Sequence, residues 1–212
     1  MSSTTTISAE SSPPTDPGRR RLLASLAALA AAGVAGCRTP APRTGVPELT
    51  FVHLSQIPLL VARREIENRY SPPPGMPTVE ATAPIAPAEA VRRWAERRIH
   101  PVGASGRALV IIHDAMLAQI PLARTTGITG YLTTDQSDEY RVRLDVEVAV
   151  DGLPFVAPAS ARAFAERART VAENVTLQQR DEVMYRLVEE AMIAINSELE
   201  RQIYAGFGSY IA

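Results

Sequence analysis

The stretch Tyr140-Arg-Val-Arg-Leu-Asp-Val-Glu-Val-Ala-Val150 decides the fold class of this 212-residue chain. Apolar side chains occupy every second position from Tyr140 onward, and charged or small side chains occupy the positions between them. Successive side chains of a β-strand point to opposite faces, so this pattern predicts a strand with one face on a core and one in water. The core of the protein is therefore predicted to lie on one side of a sheet.

The segment after this strand is ambiguous when it is considered alone. Asp151-Gly152 is a strong β-hairpin signal. Residues 158–171 are rich in Ala, Arg and Glu, which favour a helix by intrinsic propensity. They nevertheless follow a turn beside a strand whose backbone groups need partners, so we predict a strand, with a helix as the alternative. The positions on one face of this strand are Ala159, Ala161, Ala163 and Ala165.

Two segments before Tyr140 complete the predicted sheet. Arg107–Ile120 is apolar on both faces, which is typical of a central strand, and 103–106 forms the turn into it. Leu49–Tyr70 is predicted as β-structure interrupted at Pro58, and the charged residues of its second half indicate an edge strand. Thr125–Asp138 is a turn-rich connection, and no regular structure is predicted from 71 to 86.

Pro87 is predicted to open a helix, because proline suits the first helical turn. Val91, Trp94, Ala95 and Ile99 recur at helical spacing and form its apolar face. The sole tryptophan is predicted to anchor this helix on the sheet, with a partner or lipid contact as the alternative. Pro101 and Gly103 end the helix.

A long helix is predicted at the end of the chain. Thr176 and Gln179 have the spacing of a capping box, and Gly206 is predicted as the C′ residue. The tail, Phe207–Ala212, is interpreted as an apolar flap or a contact point. The predicted core stripe of the helix consists of Met184, Leu187, Val188, Ala191, Ile195, Leu199 and Ile203.

The predicted order of elements is strand, helix, strand, strand, strand, helix. Two helices on one face of a small antiparallel or mixed sheet of about four strands make an α+β domain, with the longer helix C-terminal.

The leader of the chain carries its most specific motif. A basic cluster, Arg19-Arg20-Arg21, precedes an uncharged run from Leu22 to Gly36, which is too short to span a bilayer core of about 20 residues. The run ends in Val34-Ala35-Gly36-Cys37, and Cys37 is the only cysteine of the protein. These four residues match the lipobox of bacterial lipoproteins. The resemblance implies cleavage before Cys37 and a covalent diacylglycerol and N-acyl group on it, with acyl chains such as palmitate.

The leader also predicts an export route and a domain organisation. Arg19 and Arg20, followed by Leu22-Leu23, resemble a twin-arginine signal, and general secretion stays open as the alternative. Residues 1–36 are predicted to be a removed signal peptide, and 37–47 a lipidated cysteine with a Pro-rich tether. Residues 48–212 are predicted to form a single periplasmic α+β domain.

Composition excludes several classes of function. From Cys37 onward the chain has 19 Arg against 21 Asp plus Glu and no lysine, which argues against a nucleic-acid partner. Once Cys37 is acylated, no cysteine is left for disulfides or thiolate chemistry. Two or three acyl chains give stable membrane anchoring, so the membrane itself is a predicted partner.

The element order behind a lipobox resembles two groups of envelope lipoproteins. These are the auxiliary lipoproteins of ABC-type transport systems and the lipopolysaccharide-assembly lipoprotein that plugs the outer-membrane translocon barrel. Arg93-Trp94-Ala95-Glu96 is similar to an Arg-Trp-Ala-Glu stretch in the first helix of the transport group. The resemblance implies an envelope protein partner and a lipid or lipopolysaccharide ligand. Arg38 after the cysteine, where Asp favours inner-membrane retention, implies the periplasmic face of the outer membrane.

The search for a catalytic or metal site yields no candidate residues. His113-Asp114 resembles a phosphohydrolase metal pair, but neighbours within a strand are expected to face opposite ways. His53 and His100 have no zinc-site spacing, and Ser105 lies outside a nucleophile elbow. We therefore expect a non-enzymatic envelope lipoprotein without a metal or a further cofactor. Its contact surfaces are predicted at the edge Leu59–Tyr70 and the loop Thr125–Asp138.

Overall fold

The computed structural model describes residues 46–122 and 136–212. These residues form an α+β fold with two helices and a mixed sheet, as predicted. The elements in chain order are β1 (Ile57–Leu59), β2 (Arg63–Asn68), α1 (Pro87–Arg98), β3 (Ile99–Pro101), β4 (Arg107–Pro121), β5 (Gln136–Asp151), β6 (Ala159–Ala172) and α2 (Leu177–Gly206), followed by a 3-10 turn at Gly208–Tyr210.

The main sheet has the strand order β2-β4-β5-β6. β2 runs parallel to β4, while β4–β5 and β5–β6 are antiparallel. A second, two-stranded sheet pairs β1 with β3 in parallel, placing Ile57 beside Ile99. The predicted central strand and the predicted edge strand are both confirmed, because β4 lies between β2 and β5 and β2 lies at the end of the sheet.

The alternation in β5 divides the sheet into two faces. Its apolar positions from Tyr140 to Val150 are at most 2% exposed and contribute to the core. The charged positions between them lie on the opposite face, which we call the outer face. A one-residue slip in register would exchange these two sets, so the burial of one face fixes the register of the strand.

The ambiguous segment 158–171 is a strand, as predicted. Residues 152–158 form the hairpin loop, and β6 pairs along β5 from Ala159 to Ala172. Ala161, Ala163 and Ala165 are at most 3% exposed beneath α2. Pairing with β5 satisfies a row of backbone groups at once, and this gain exceeds the small helix preference of the individual residues.

Helix α1 begins at Pro87, as predicted, and ends one residue earlier than its apolar stripe indicates. Ile99 is fully buried, but it opens β3 with an extended backbone instead of continuing the helix. Trp94 is also fully buried, so it serves as a packing anchor. Its indole Nε1 donates a hydrogen bond to Asn196 Oδ1 of α2 at 2.9 Å, which ties the two helices together.

Helix α2 begins with the predicted capping box. The Thr176 hydroxyl accepts from the Gln179 N–H at 3.2 Å, while Gln179 Oε1 accepts from the Thr176 N–H at 2.8 Å. Every residue of the predicted stripe is buried. The prediction for Gly206 was wrong, because it is still helical, and the glycine with positive φ is Gly208, at +42°.

The C-terminal tail belongs to the core and is not a flap. Phe207 and Tyr210 are at most 2% exposed, and Ile211 forms an antiparallel bridge with Leu59 of β1. The prediction of an interruption at Pro58 was also wrong, because Pro58 lies inside β1 and its carbonyl accepts from the Ala212 N–H at 3.1 Å. Proline is tolerated in this strand because the hydrogen bond to Ala212 uses the Pro58 carbonyl, and proline lacks only the N–H.

The chain changes direction between β1 and β2 at 60–62, where it lies against the turn before β4. The Gly103 N–H donates to the Val61 carbonyl at 2.9 Å, and a Cβ on Gly103 would lie 2.4 Å from the Leu60 carbonyl carbon. Gly106 has a φ of +76°, and a Cβ there would lie 2.5 Å from the Asp151 carbonyl oxygen. The predicted turn into the central strand is confirmed, and both glycines are needed for close backbone contact.

Candidate functional site

The residues predicted from the leader lie outside the described part of the chain. These are Arg19, Arg20, Val34, Ala35, Gly36 and Cys37, so their roles remain predictions. Of the predicted contact loop Thr125–Asp138, the structure describes only the last residues, which begin β5.

The predicted contact edge is β2, and paired charges cover it. Glu65 accepts from Arg63 Nε at 2.6 Å and from Arg107 Nη1 at 3.1 Å, and the Arg63 hydrogen bond is the main cause that lowers the Glu65 pKa. Glu67 is paired with Arg69 in the same way. Exposed pairs of this kind contribute little stability, but charges on an edge discourage pairing with other strands.

The segment that follows β2, up to Glu80, lies along the adjacent edge of β4. The Val79 N–H donates to the Leu117 carbonyl at 2.8 Å, and the Tyr70 hydroxyl donates to Glu80 at 2.7 Å. Burial raises the pKa of Tyr70, and the hydrogen bond and negative charge of Glu80 raise it further. The chain itself therefore covers the edge of β4 beyond the end of β2, next to the predicted contact edge Leu59–Tyr70.

His113 and Asp114 share one face of the sheet, which corrects the expectation that they face opposite ways. The register of β4 against β5 shifts between Ile112 and Asp114, so that His113 is an extra residue in a β-bulge. His113 Nε2 lies 2.8 Å from Glu147 Oε2, and Asp114 accepts from Arg143. Both side chains therefore point to the outer face, and each has a partner on β5.

The outer face is an array of such ion pairs. The Arg162 guanidinium donates to Asp145 at 2.8 and 2.7 Å, and this hydrogen bond is the main cause that lowers the pKa of Asp145. Among the described residues, no group of three or more His, Cys, Asp and Glu side chains is arranged to hold a metal ion. The arrangement pairs charges across strands, which is a means of stabilising a sheet.

A groove of about 530 Å³ lies between the segment Pro47–Leu54 and α2, and we call it the 47–54 groove. Arg93 of α1 holds this segment through Glu48 at 2.8 Å. The apolar side chains of the groove are Leu49, Phe51, Leu54, Tyr185, Met192 and Ile193. Its polar side chains are Glu48, Thr50, His53, Glu189, Asn196 and Ser197. Binding grooves combine apolar walls with polar groups that orient a ligand, and this lining offers both in similar number.

The groove combines buried and exposed apolar surface. Leu49 and Phe51 are 7% exposed, whereas Ile193 on the opposite wall is 62% exposed. Burial raises the pKa of Tyr185, and the neighbouring negative charge of Glu189 adds to this effect. The Tyr185 phenol is therefore neutral at physiological pH and contributes to the groove as an aromatic wall.

A polar network lies beneath the groove and was not predicted from the sequence. Asn196 Oδ1 accepts from Trp94 Nε1 and also from Arg98 Nε at 3.0 Å. Arg98 is 1% exposed, and its Nη2 lies 2.8 Å from Glu200 Oε2. A sequence signal for this network did exist, because Asn196 directly follows Ile195 and lies beside the apolar stripe on the buried side of α2.

A smaller pocket of about 360 Å³ lies where α2 begins. Tyr140 and Arg180 line it together with apolar side chains such as Leu177 and Met184. Burial raises the pKa of Tyr140, while the positive charge of Arg180 acts in the opposite direction.

No helix in the described ranges is both long and apolar enough to cross a bilayer. No protein-family model matches the chain, and no curated protein matches it. Among solved structures, the chain is similar to the crystal structure of the rare lipoprotein B from Shewanella oneidensis. The match has 15% sequence identity and a TM-score of 0.36, and it covers 68% of this chain and 96% of that one. A likeness at this level assigns neither a partner nor a ligand to the present chain.

Proposed function

We propose that this protein is a non-enzymatic, lipid-anchored envelope lipoprotein that binds another envelope component in lipid or lipopolysaccharide transport or assembly. The observation that carries the proposal is the lipobox Val34-Ala35-Gly36-Cys37, which ends on the only cysteine of the chain. The alternative within the same class is a structural or stress-related envelope lipoprotein without a transport role.

The lipid anchor defines the proposed working position of the domain. Acyl chains on Cys37 insert into a bilayer, and two or three of them hold the protein there stably. The residues from Cys37 to Val46 span at most about 30 Å when fully extended. A ligand or partner of the 47–54 groove is therefore met close to the membrane surface, and Arg38 favours the outer membrane.

The 47–54 groove supports a binding role. Its apolar walls and its volume fit an acyl chain or an apolar segment of a partner. Ile193 of the groove is 62% exposed, and Val52, at 66%, adds apolar surface beside the lining residues. Binding at this site would bury the surface that is now in contact with water.

A periplasmic hydrolase is the alternative from another class. A hydrolase of this kind needs a histidine that acts together with a carboxylate and a nucleophile. His113 comes nearest to such an arrangement, because it contacts Glu147 and shares a face with Asp114. In the described part of the chain its ring has no nucleophile as a hydrogen-bond partner, and Asp114 is engaged by Arg143. These contacts favour a structural role for the pair.

The first experiment tests the anchor. Cells that express the full chain are grown with an alkyne-labelled palmitate, and labelling and membrane fractionation are compared for Cys37→Ala and for the matched control Val34→Leu, which keeps a lipobox. We expect Cys37→Ala to lose the label and leave the membrane fraction, while Val34→Leu retains both. Continued labelling of Cys37→Ala would contradict the lipoprotein assignment.

The second experiment tests the groove with the acylated protein in detergent. Binding of a dansyl-labelled phospholipid, and its displacement by lipopolysaccharide, is measured for Ile193→Glu and for Tyr204→Glu. Both residues are exposed on α2, but Tyr204, at 51%, lies outside the groove lining. We expect at least fivefold weaker binding for Ile193→Glu only. Equal binding by both variants would contradict the groove as the binding site, and absence of binding by the unaltered protein would argue for the alternative without a transport role.

A further inference from the structure

The second edge of the sheet is formed by β6. In the described part of the chain β6 pairs with β5 on one side and with no strand on the other. Gln202 of α2 reaches around to this open side. Its Oε1 accepts from the Arg162 N–H at 3.0 Å, and its Nε2 donates to the Arg162 carbonyl at 2.9 Å. The amide of Gln202 therefore makes the two hydrogen bonds that a neighbouring strand would make.

The position of Gln202 shows which backbone groups of β6 point away from β5. In an antiparallel pair, hydrogen-bonded and non-hydrogen-bonded residues alternate along the strand. Because Arg162 points its N–H and carbonyl outward, Phe164, Glu166, Ala168 and Thr170 do the same. The register of β6 on β5 is regular through all of these positions. From Phe164 to Thr170, beyond the residue that Gln202 contacts, β6 therefore presents a row of outward-pointing backbone donors and acceptors.

This half of the edge is accessible. Residues 166–170 are all exposed, and Phe164 on the outer face is 57% exposed. Helix α2 covers the alanines of the first half of β6 and leaves residues 166–170 exposed, although Arg169 pairs with Glu190 of α2 at 3.1 Å. The opposite edge is shorter, because β2 has only six residues. β6 has 14 residues and no proline, so it is long enough to pair with a further strand and lacks one common feature that prevents edge pairing.

The charges on this strand indicate the chemistry of an occupant. β6 carries three arginines and one glutamate. Arg162 and Arg169 are paired with Asp145 and Glu190 at 2.7 and 3.1 Å. Arg167 has no carboxylate partner among the described residues, and its Nη1 donates to the outward-pointing Glu166 carbonyl at 2.8 Å, so an incoming strand would displace Arg167 from this acceptor. A carboxylate on an incoming strand would complete this pairing.

We propose that the edge of β6 from Phe164 to Thr170 binds an extended, acidic segment of a partner protein by β-strand addition. Backbone hydrogen bonds to the outward groups hold the segment, Arg167 pairs with its carboxylate, and Phe164 packs against an apolar side chain. Seven residues at about 3.3 Å each give a contact about 23 Å long. Gln202 ends the site by occupying the next position. This site requires neither the lipid on Cys37 nor the 47–54 groove, and so goes beyond the function proposed above.

Proline at an outward-pointing position offers a selective test. Ala168→Pro removes an N–H that points to the open edge and leaves the ladder to β5 intact, which is where edge strands tolerate proline. Ser160→Pro is the matched control, because Ser160 also points outward but lies on the other side of Gln202. Thermal unfolding of both variants first establishes that each retains the fold.

The assay uses the full acylated chain in detergent and a fluorescein-labelled peptide, Val-Glu-Val-Thr-Val-Glu-Val, with Lys replacing both Glu in a second peptide. We expect the acidic peptide to bind at least tenfold more tightly than the basic one. We expect Ala168→Pro to weaken binding at least tenfold and Ser160→Pro to leave it unchanged. Hydrogen exchange with the acidic peptide should slow at the amides of Glu166, Ala168 and Thr170.

Three results would overturn the proposal. These are absence of binding by the acidic peptide, equal binding by the two proline variants, and protection that appears at β2 instead of β6. Sedimentation measurements distinguish a further occupant, a second copy of this chain. A concentration-dependent dimer that Ala168→Pro abolishes would assign the edge to self-association and contradict the proposed partner. The lipid label on Cys37 is unaffected in every case, so failure here is distinct from failure of the lipoprotein assignment.

Discussion

Replacing Asn196 with leucine tests the buried network that joins the two helices. Asn196 is 8% exposed, and its Oδ1 accepts from Trp94 Nε1 and Arg98 Nε, two donors that are themselves buried. Leucine has the same branched shape and the same number of heavy atoms, with bulkier methyl groups and no acceptor, so both donors lose their partner while the space stays filled. The substitution therefore isolates the polar contribution from the effect of a cavity.

The expected cost follows from these contacts. A buried donor left without a partner costs about 1–3 kcal/mol, and a charged one costs more. Arg98 keeps Glu200 at 2.8 Å, and Glu200 is 39% exposed, so the guanidinium is not isolated. We therefore expect Asn196→Leu to lower the free energy of unfolding by about 3 kcal/mol. For a domain of this size that corresponds to a fall in Tm of about 6–12 °C.

Urea unfolding followed by circular dichroism and by Trp94 fluorescence measures this change, because Trp94 is the only tryptophan. Ser197→Ala is the matched control, since Ser197 is exposed on the same helical turn, and we expect a change within about 0.5 kcal/mol. Trp94→Phe removes one of the two donors, so its cost should be smaller in the Asn196→Leu background. A cost below about 1 kcal/mol for Asn196→Leu would refute the reasoning, because it would mean that both donors find other partners.

Three further predictions concern local features. Gly106→Ala should destabilise the fold by about 2–4 kcal/mol in urea unfolding, because the added Cβ would lie 2.5 Å from a backbone oxygen at positive φ. Gly75→Ala, also at positive φ but in open space, should cost only about 1–2 kcal/mol. Thr176→Ala should cost about 1 kcal/mol, because it removes a helix cap. Arg162→Met should raise the pKa of Asp145 toward its ordinary value in an NMR titration.

The direction of the Asp145 pKa shift determines the pH range in which the Arg162–Asp145 pair contributes stability. The pKa of Asp145 is lower in the folded than in the unfolded protein, so the pair contributes stability above the unfolded pKa of about 3.9. That contribution is lost as pH falls through the lowered folded pKa. The dependence of stability on pH below about 4 should therefore be weaker in Arg162→Met. An unchanged Asp145 titration in Arg162→Met would contradict this explanation. For the glycine variants, an equal loss of unfolding free energy in Gly106→Ala and Gly75→Ala would contradict the clash at Gly106.

Features that depend on neighbouring residues were predicted well from the sequence. The alternation from Tyr140 to Val150 identified β5 and its core face, and the spacing of Thr176 and Gln179 identified the start of α2. Each of these signals lies within one turn or one strand, where local geometry relates residue spacing to direction. The lipobox is also a local signal, and it gives the leader a specific interpretation without any tertiary structure.

Features that depend on pairing between distant segments were harder to predict. The segment 158–171 favours a helix locally, and only the row of partners on β5 makes it a strand. The extra residue at His113 follows from the register of β4 on β5, and it reverses the direction expected for one side chain. Neither the bulge nor its ion pairs has a signature within the strand that contains it.

Sequence patterns alone were sufficient for the α+β class, the two helices and the core stripe of α2, whereas the lipidation of Cys37 stays a prediction. The positions of surfaces and networks became known only from the folded chain. The 47–54 groove needs a segment and a helix separated by more than 100 residues, and Asn196 becomes a central acceptor only when α1 packs beside α2. Likewise, Gln202 marks where the open part of the β6 edge begins only because α2 packs against β6. Periodicity reports the direction of a side chain along its own element, whereas burial and hydrogen-bond partners are set by whichever distant residues fold against it.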